Sequence, residues 1–315
     1  MNATSCDDKL SYSSCNLRTL TTLTSFAIFC LISLGGIVRV TESGLACPDW
    51  PLCHGKLIPP LDLPVIIEYS HRLLALFVFC LVVSVAFPIF HKFRHNTSLV
   101  KILIVTLTLL SLQILLGGVT VLTELRPEII ALHLATGQAF LAAFILLTCK
   151  IFLQDPSCIT PKTSWFADKH ISITAILIYS TVITGSLVTA TGAFAACAGW
   201  PLCNGQVFPT NHLAGIHWLH RLMVLFSTIA VCWILVSSWR RSLKHLQLFF
   251  VSLLVFLMLI QIMVGAGTIW LHFTPFSKAI HLIVSTMVWG VVIINLGLIV
   301  FPSTNHNTFK TGVRS

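Results

Sequence analysis

Four histidines recur in register along a chain of 315 residues: His71 and His133 in its first half, His220 and His281 in its second. His71-Arg72-Leu73 matches His220-Arg221-Leu222 at an offset of 149, and Gln113, Gly117, Thr120 and His133 match Gln261, Gly265, Thr268 and His281 at an offset of 148. Two imidazoles presented by facing helices are what a helical bundle uses to hold a cofactor in its core, and a pair of axial nitrogens suits a haem iron. Zinc suits them less, because its sites usually close a tetrahedron with thiolate or carboxylate. A single histidine in an apolar stretch is as well explained by a hydrogen bond within the bundle. A pair that returns in both halves favours the ligand reading.

The acids are distributed unevenly. Glu42, Asp49, Asp62, Glu68, Glu124 and Glu128 fall in first-half segments on the same side as its histidines, and no Asp or Glu follows Asp168. Glu68 precedes His71 by three residues, so on a continuous helix the two share a face about one turn apart; the matching residue of the second half is His217. Proton transfer needs a carboxylate beside the reacting group, which makes the first half the reaction chamber and the second an electron-transfer site. The plainer account of Glu68 is an acid at a helix start, favoured there by the helix dipole. Arg72 and Arg221 follow the first histidine of each pair and suit the two propionates of a haem; the competing account has them snorkel to the membrane interface.

Cysteines are paired in the same duplicated manner. Ala46-Cys47-Pro48-Asp49-Trp50-Pro51-Leu52-Cys53-His54-Gly55 shares seven of ten positions with Ala196-Cys197-Ala198-Gly199-Trp200-Pro201-Leu202-Cys203-Asn204-Gly205. In an oxidising compartment Cys47–Cys53 and Cys197–Cys203 would each close a disulfide, provided the Trp-Pro segment turns. A reduced pair or a soft-metal site is the alternative. Cys6, Cys15, Cys30, Cys80, Cys149, Cys158 and Cys232 read as packing residues or reduced thiols.

The elements that must position these residues follow from composition. With 56% apolar residues, 9% charged and a mean hydropathy of +0.92, the chain is built for a membrane. Its formal charge of +9 is spread rather than clustered, which excludes a nucleic-acid surface. Stretches long enough to cross the hydrocarbon occur at Thr19–Val38, His71–Phe90, Leu99–Val119, Ile130–Phe152, Ile171–Thr191, Ile216–Val236, Leu246–Trp270 and Ala279–Val300. The expected fold is an all-α integral membrane protein: eight transmembrane helices in two tandem four-helix bundles, related by a pseudo-twofold axis along the membrane normal. Residues 1–18 form a cytoplasmic tail, 19–153 the N-terminal bundle, 154–170 a cytoplasmic linker broken by Pro156 and Pro161, 171–301 the C-terminal bundle and 302–315 a second tail. With the N-terminus inside, 13 Lys and Arg fall on the inner side and six on the outer, which places both termini in the cytoplasm and both cysteine loops outside. Leu45-Ala46-Cys47 loosely matches a lipoprotein cleavage site, but its apolar run is too long for a signal and the pattern returns in mid-chain at Cys197.

Glu68-Tyr69-Ser70-His71-Arg72, Ile216-His217-Trp218-Leu219-His220-Arg221, the two Cys-x5-Cys loops, His133 and His281 together resemble the haem A synthase family, from about Thr19 to Val300. That resemblance implies oxidation of haem O to haem A for terminal oxidases by successive hydroxylations of a ring methyl. It implies substrate haem at His71 and His133, a permanent haem b at His220 and His281, a catalytic role for Glu68 and a disulfide between Cys47 and Cys53. A bacterial inner membrane is the expected location, with membrane lipid around the chain. The haem O-forming farnesyltransferase is a candidate partner, and self-association into a homo-oligomer is left open. The rival reading is a quinol-linked di-haem cytochrome b. It usually places haems near both membrane faces, whereas all four histidines here share one. The prenyl transferase that makes haem O would need Asp-rich magnesium motifs, and Asp7-Asp8 is the only adjacent pair of acids.

Overall fold

In lipid every backbone N–H and C=O must be satisfied within its own segment, so apolar stretches of this length can only be helices. The computed structural model describes residues 4–60, 62–153, 165–209, 211–240 and 245–301, with side chains from residue 16 and, after the central gap, from residue 169. Its helices are α1 (Thr4–Val40), α2 (Leu63–Lys92), α3 (Thr97–Leu122), α4 (Pro127–Leu153), α5 (Trp165–Ala190), α6 (His212–Arg240), α7 (His245–Trp270) and α8 (Pro275–Val300). All eight are long and apolar enough to cross a membrane, and among the described residues no strand forms beyond two isolated bridges, Cys53 with Lys56 and Cys203 with Gln206. Pro156, Cys158, Pro161 and the tail 302–315 lie outside the described residues, as do the side chains of Cys6, Asp7, Asp8 and Cys15.

The helices start earlier than the apolar runs. Proline opens α4 and α8, and the Asn96 side chain accepts the Leu99 amide at 3.1 Å to cap α3. The helix α1 already runs from Thr4, where a separate tail to residue 18 is expected, and α5 enters the expected linker at Trp165. More consequential is α2. Its start at Leu63 puts Glu68 beyond the first turn, which contains no acid, and sets His71 eight residues in, roughly 12 Å along the axis. The helix-start account of Glu68 therefore fails. His220 lies equally deep in α6.

Within the first copy α1 packs on α2, α3 on α4, α1 on α4 and α2 on α3; the second copy repeats all four pairings. Between copies α4 meets α8, α1 meets α8 and α4 meets α5. Exchanging the copies leaves this set of packed pairs unchanged. Ile28, Val78, Val82, Leu103, Phe144, Leu147, Leu254 and Val292 are fully buried in the shared core. Polar contacts also cross it: Gln138 Nε2 donates to Thr286 Oγ1 at 3.0 Å, and Trp289 Nε1 donates to the Gln138 carbonyl at 2.8 Å.

Candidate functional site

All four duplicated histidines line one continuous chamber of about 1280 Å³ at the end of the helices that carries the cysteine loops. Each imidazole lies against a glycine of a neighbouring helix. A Cβ built at Gly35 of α1 would come within 3.0 Å of His71 Cε1, at Gly185 of α5 within 2.9 Å of His220 Cε1, and at Gly265 of α7 within 3.0 Å of His281 Cε1. At Gly117 of α3 the distance to His133 Cε1 is 3.4 Å, an ordinary contact. Glutamines one turn below α3 and α7 Gly steady the partner rings: Gln113 Nε2 is 3.2 Å from His133 Nε2, and Gln261 Nε2 is 3.2 Å from His281 Nδ1. The repeat already pairs Gly117 with Gly265 and Gln113 with Gln261, and that register was the signal for their role.

His220 carries the most informative hydrogen bond. Its Nδ1 lies 3.1 Å from the Thr181 carbonyl, which can only accept, so the proton sits on Nδ1 and the lone pair on Nε2. Metal-binding histidines are commonly oriented in this way. The rings of His220 and His281 are 6.4 Å apart between centroids, at 82° to each other. Metal–imidazole bonds of about 2 Å would put the centroids of two rings on opposite sides of one metal roughly 6 Å apart. In the first copy, Nδ1 of both His71 and His133 is buried without a partner. The spacing of His220 and His281 fits a haem iron held between them.

The walls of the two copies differ. At matched chamber positions Leu31, Val78, Phe79 and Gly137 of the first copy give way to Thr181, Ser227, Thr228 and Ser285 of the second. Thr181 and Ser227 hydroxyls bond to each other at 2.8 Å. At these four positions the first copy has no hydroxyl and the second carries one at each.

Above the rings the cysteine loops close the chamber, and both disulfides form, with Cα atoms 4.7 Å apart in Cys47–Cys53 and 4.8 Å in Cys197–Cys203. Each loop passes through two left-handed residues, His54-Gly55 and Asn204-Gly205. In the first loop Asp49 accepts the amides of His54 at 2.6 Å and Gly55 at 2.7 Å, and the Gly55 amide is foremost in holding its carboxyl below the usual range. Glu68, 4% exposed, accepts the Cys47 amide at 2.8 Å and pairs with Arg72. Arg72 in turn donates to the carbonyls of Cys47, Asp49 and Leu52. Sequence reasoning offered Arg72 as a propionate partner or an interfacial residue; in the structure it also fastens the loop, a contact over 20 residues or more that no local pattern announces. Arg221 donates to the carbonyls of Pro201 and Cys197, and among the described residues its buried Nε has no partner. Glu68 and Arg72 both line the chamber.

A family model described as "Cytochrome oxidase assembly protein" matches residues 18–293. The chain belongs to the haem A synthase family. Among its relatives, the "Heme A synthase" of Halalkalibacterium halodurans is 31% identical over 284 residues, covering 86% of this chain and 93% of that one. That of Alkalihalophilus pseudofirmus is 31% identical over 245 residues, covering 73% and 82%. The match to the haem A synthase family spans all of both cysteine loops and all four chamber histidines, so the duplicated site belongs to the part of the chain that is shared.

Proposed function

We propose that the protein is itself a haem A synthase, an oxidoreductase of the bacterial inner membrane that converts a ring methyl of haem O to a formyl group. The observation that carries this reading is the His220–His281 pair, with ring centroids 6.4 Å apart and the His220 tautomer fixed by the Thr181 carbonyl. The bundle of residues 171–301 would hold haem b between these two histidines, and that of 19–153 would hold haem O between His71 and His133. Haem b, when bound, supplies one-electron transfer. The contrast at the matched positions supports the same division: a farnesyl tail gains roughly 0.8 kcal/mol per methylene it buries, and Leu31, Val78 and Phe79 stand where the second copy has Thr181, Ser227 and Thr228.

Methyl to formyl is a net four-electron oxidation, taken as two hydroxylations followed by loss of water from a gem-diol; with water as the oxygen source it releases four protons and four electrons, and the electrons pass to an acceptor outside the chain. His71 and His133 orient the substrate, the disulfide loop held by Arg72 and Glu68 covers it, and Glu68 takes up protons at its carboxylate one turn from His71. Both termini face the cytoplasm, the cysteine loops face outward, and the two bundles are related by an axis along the membrane normal. The haem O-forming farnesyltransferase would supply the substrate. A quinol-linked carrier is disfavoured because all four histidines line a chamber at one end.

Extracted pigments and reduced-minus-oxidised spectra of the purified protein test this. His220→Ala or His281→Ala should abolish the haem b signal of that pair in cells that make haem O, while His71→Ala keeps it and abolishes haem A formation. Full retention of the b signal in the first two variants would sink the assignment.

A further inference from the structure

The first copy neutralises its own chamber mouth. Glu68 lies one turn from Arg72, and the pair is an ion pair tied to the loop by the Cys47 amide. The second copy keeps the arginine but replaces the acid with His217. No Asp or Glu follows Asp168 in the sequence, so nothing in this copy stands in for Glu68. Two nitrogens are left over as a result. His217 is 7% exposed and its Nδ1 is buried without a hydrogen-bond partner, and the Nε of Arg221 is likewise buried and unpartnered. Both side chains line the chamber beside His220. A buried donor left unsatisfied is costly, more so when charged, and the feature that would satisfy both at once is an oxyanion.

We infer that His217 and Arg221 form a carboxylate-binding site for a propionate of the haem held by His220 and His281. This rests on the haem b reading above and adds His217 as a binding residue. Arg221 supplies the fixed positive charge and its unpartnered Nε–H, its two terminal nitrogens being held by the Pro201 and Cys197 carbonyls, and His217 donates beside it. The first copy has no counterpart, because there the acid occupies the arginine. The glutamate-to-histidine exchange thus turns a self-neutralised clamp into a receptor for an external anion. An anionic lipid headgroup presents related chemistry at this depth, and the experiment separates the two sources.

The full-length protein, purified from haem-deficient cells, is titrated with haem b and with haem b dimethyl ester, whose carboxylates are masked. His217→Leu removes the donor; His217→Glu rebuilds the first-copy clamp on Arg221; His217→Gln keeps a donor. The expected result is a haem b dissociation rate raised about tenfold or more in His217→Leu and further in His217→Glu, each tenfold corresponding to about 1.4 kcal/mol. His217→Gln should stay close to wild type. With the dimethyl ester the variants should no longer differ from wild type, and the midpoint potential of bound haem b should fall in His217→Glu. Equal dissociation rates and potentials across all four proteins would overturn the carboxylate site while leaving the haem b reading intact. A penalty that persists with the ester would also overturn it, and would redirect His217 to lipid or to packing. Absence of haem b binding by the wild type would instead overturn the reading on which it rests.

Discussion

Glu68 has two attachments, an amide of the disulfide loop and a guanidinium one turn along its own helix. A carboxylate retains acceptor sites beyond two hydrogen bonds, so these attachments fix its position without using up its chemistry. Glu68→Gln separates the two roles. The amide oxygen can still accept from Cys47, whereas the negative charge and the proton exchange are gone. Haem content and both disulfides should persist, and haem A production should fall by about 10²–10⁴-fold, the usual worth of a general base. Normal haem A levels would reduce Glu68 to a loop anchor. The one-turn relation of Glu68 to His71 was legible in sequence because it is helical arithmetic. The grip of Arg72 on Asp49 and Leu52 was not, since their proximity exists only after α2 and the loop have met.

At the scale of helices, hydropathy locates all eight spans because lipid permits little else. It misplaces the start of α2: the turn before His71 carries Glu68 and Tyr69, which line the chamber and so fall below an apolar threshold while remaining helical. The glycines make a graded test of how tightly adjacent helices set the rings. Alanine at Gly185, Gly35 or Gly265 brings a methyl to 3.0 Å or less from an imidazole carbon, whereas at Gly117 it meets His133 at 3.4 Å. The first three substitutions should lower bound haem per chain at the corresponding site without loss of helicity by circular dichroism. Gly117→Ala should be tolerated, and uniform tolerance would show that the rings are positioned by their hydrogen bonds alone.

For the molecule as a whole, the duplication extends below residue identity: Glu124-Leu125 and His272-Phe273, unlike in sequence, adopt the same left-handed conformation in the α3–α4 and α7–α8 turns. The proposed orientation is checked with single cysteines at opposite ends. Ile58→Cys, 82% exposed in the first loop, should react with a membrane-impermeant maleimide in intact cells. His95→Cys, exposed between α2 and α3, should react only after permeabilisation. The reverse pattern would invert the protein in the membrane. The copies also meet through close helix contacts: a Cβ at Gly297 would fall 2.8 Å from Cys149. Gly297→Ala should therefore destabilise the assembly of the two bundles by about 1–3 kcal/mol, read as a lowered thermal midpoint in detergent.

That both histidine pairs open onto a single chamber has a consequence for occupancy. Both pairs line the same chamber and present the same ligand, so the imidazoles by themselves reserve neither pair for one haem. Which molecule stays where is then decided by residence time at each pair of imidazoles and by competition between haems in the surrounding bilayer. In cells that make haem O, the side chains of Leu31, Val78 and Phe79 should retain it and the stoichiometry should settle near one haem b per chain. In cells that cannot make it, haem b has no competitor for the His71–His133 pair, and the purified protein should approach two haem b per chain.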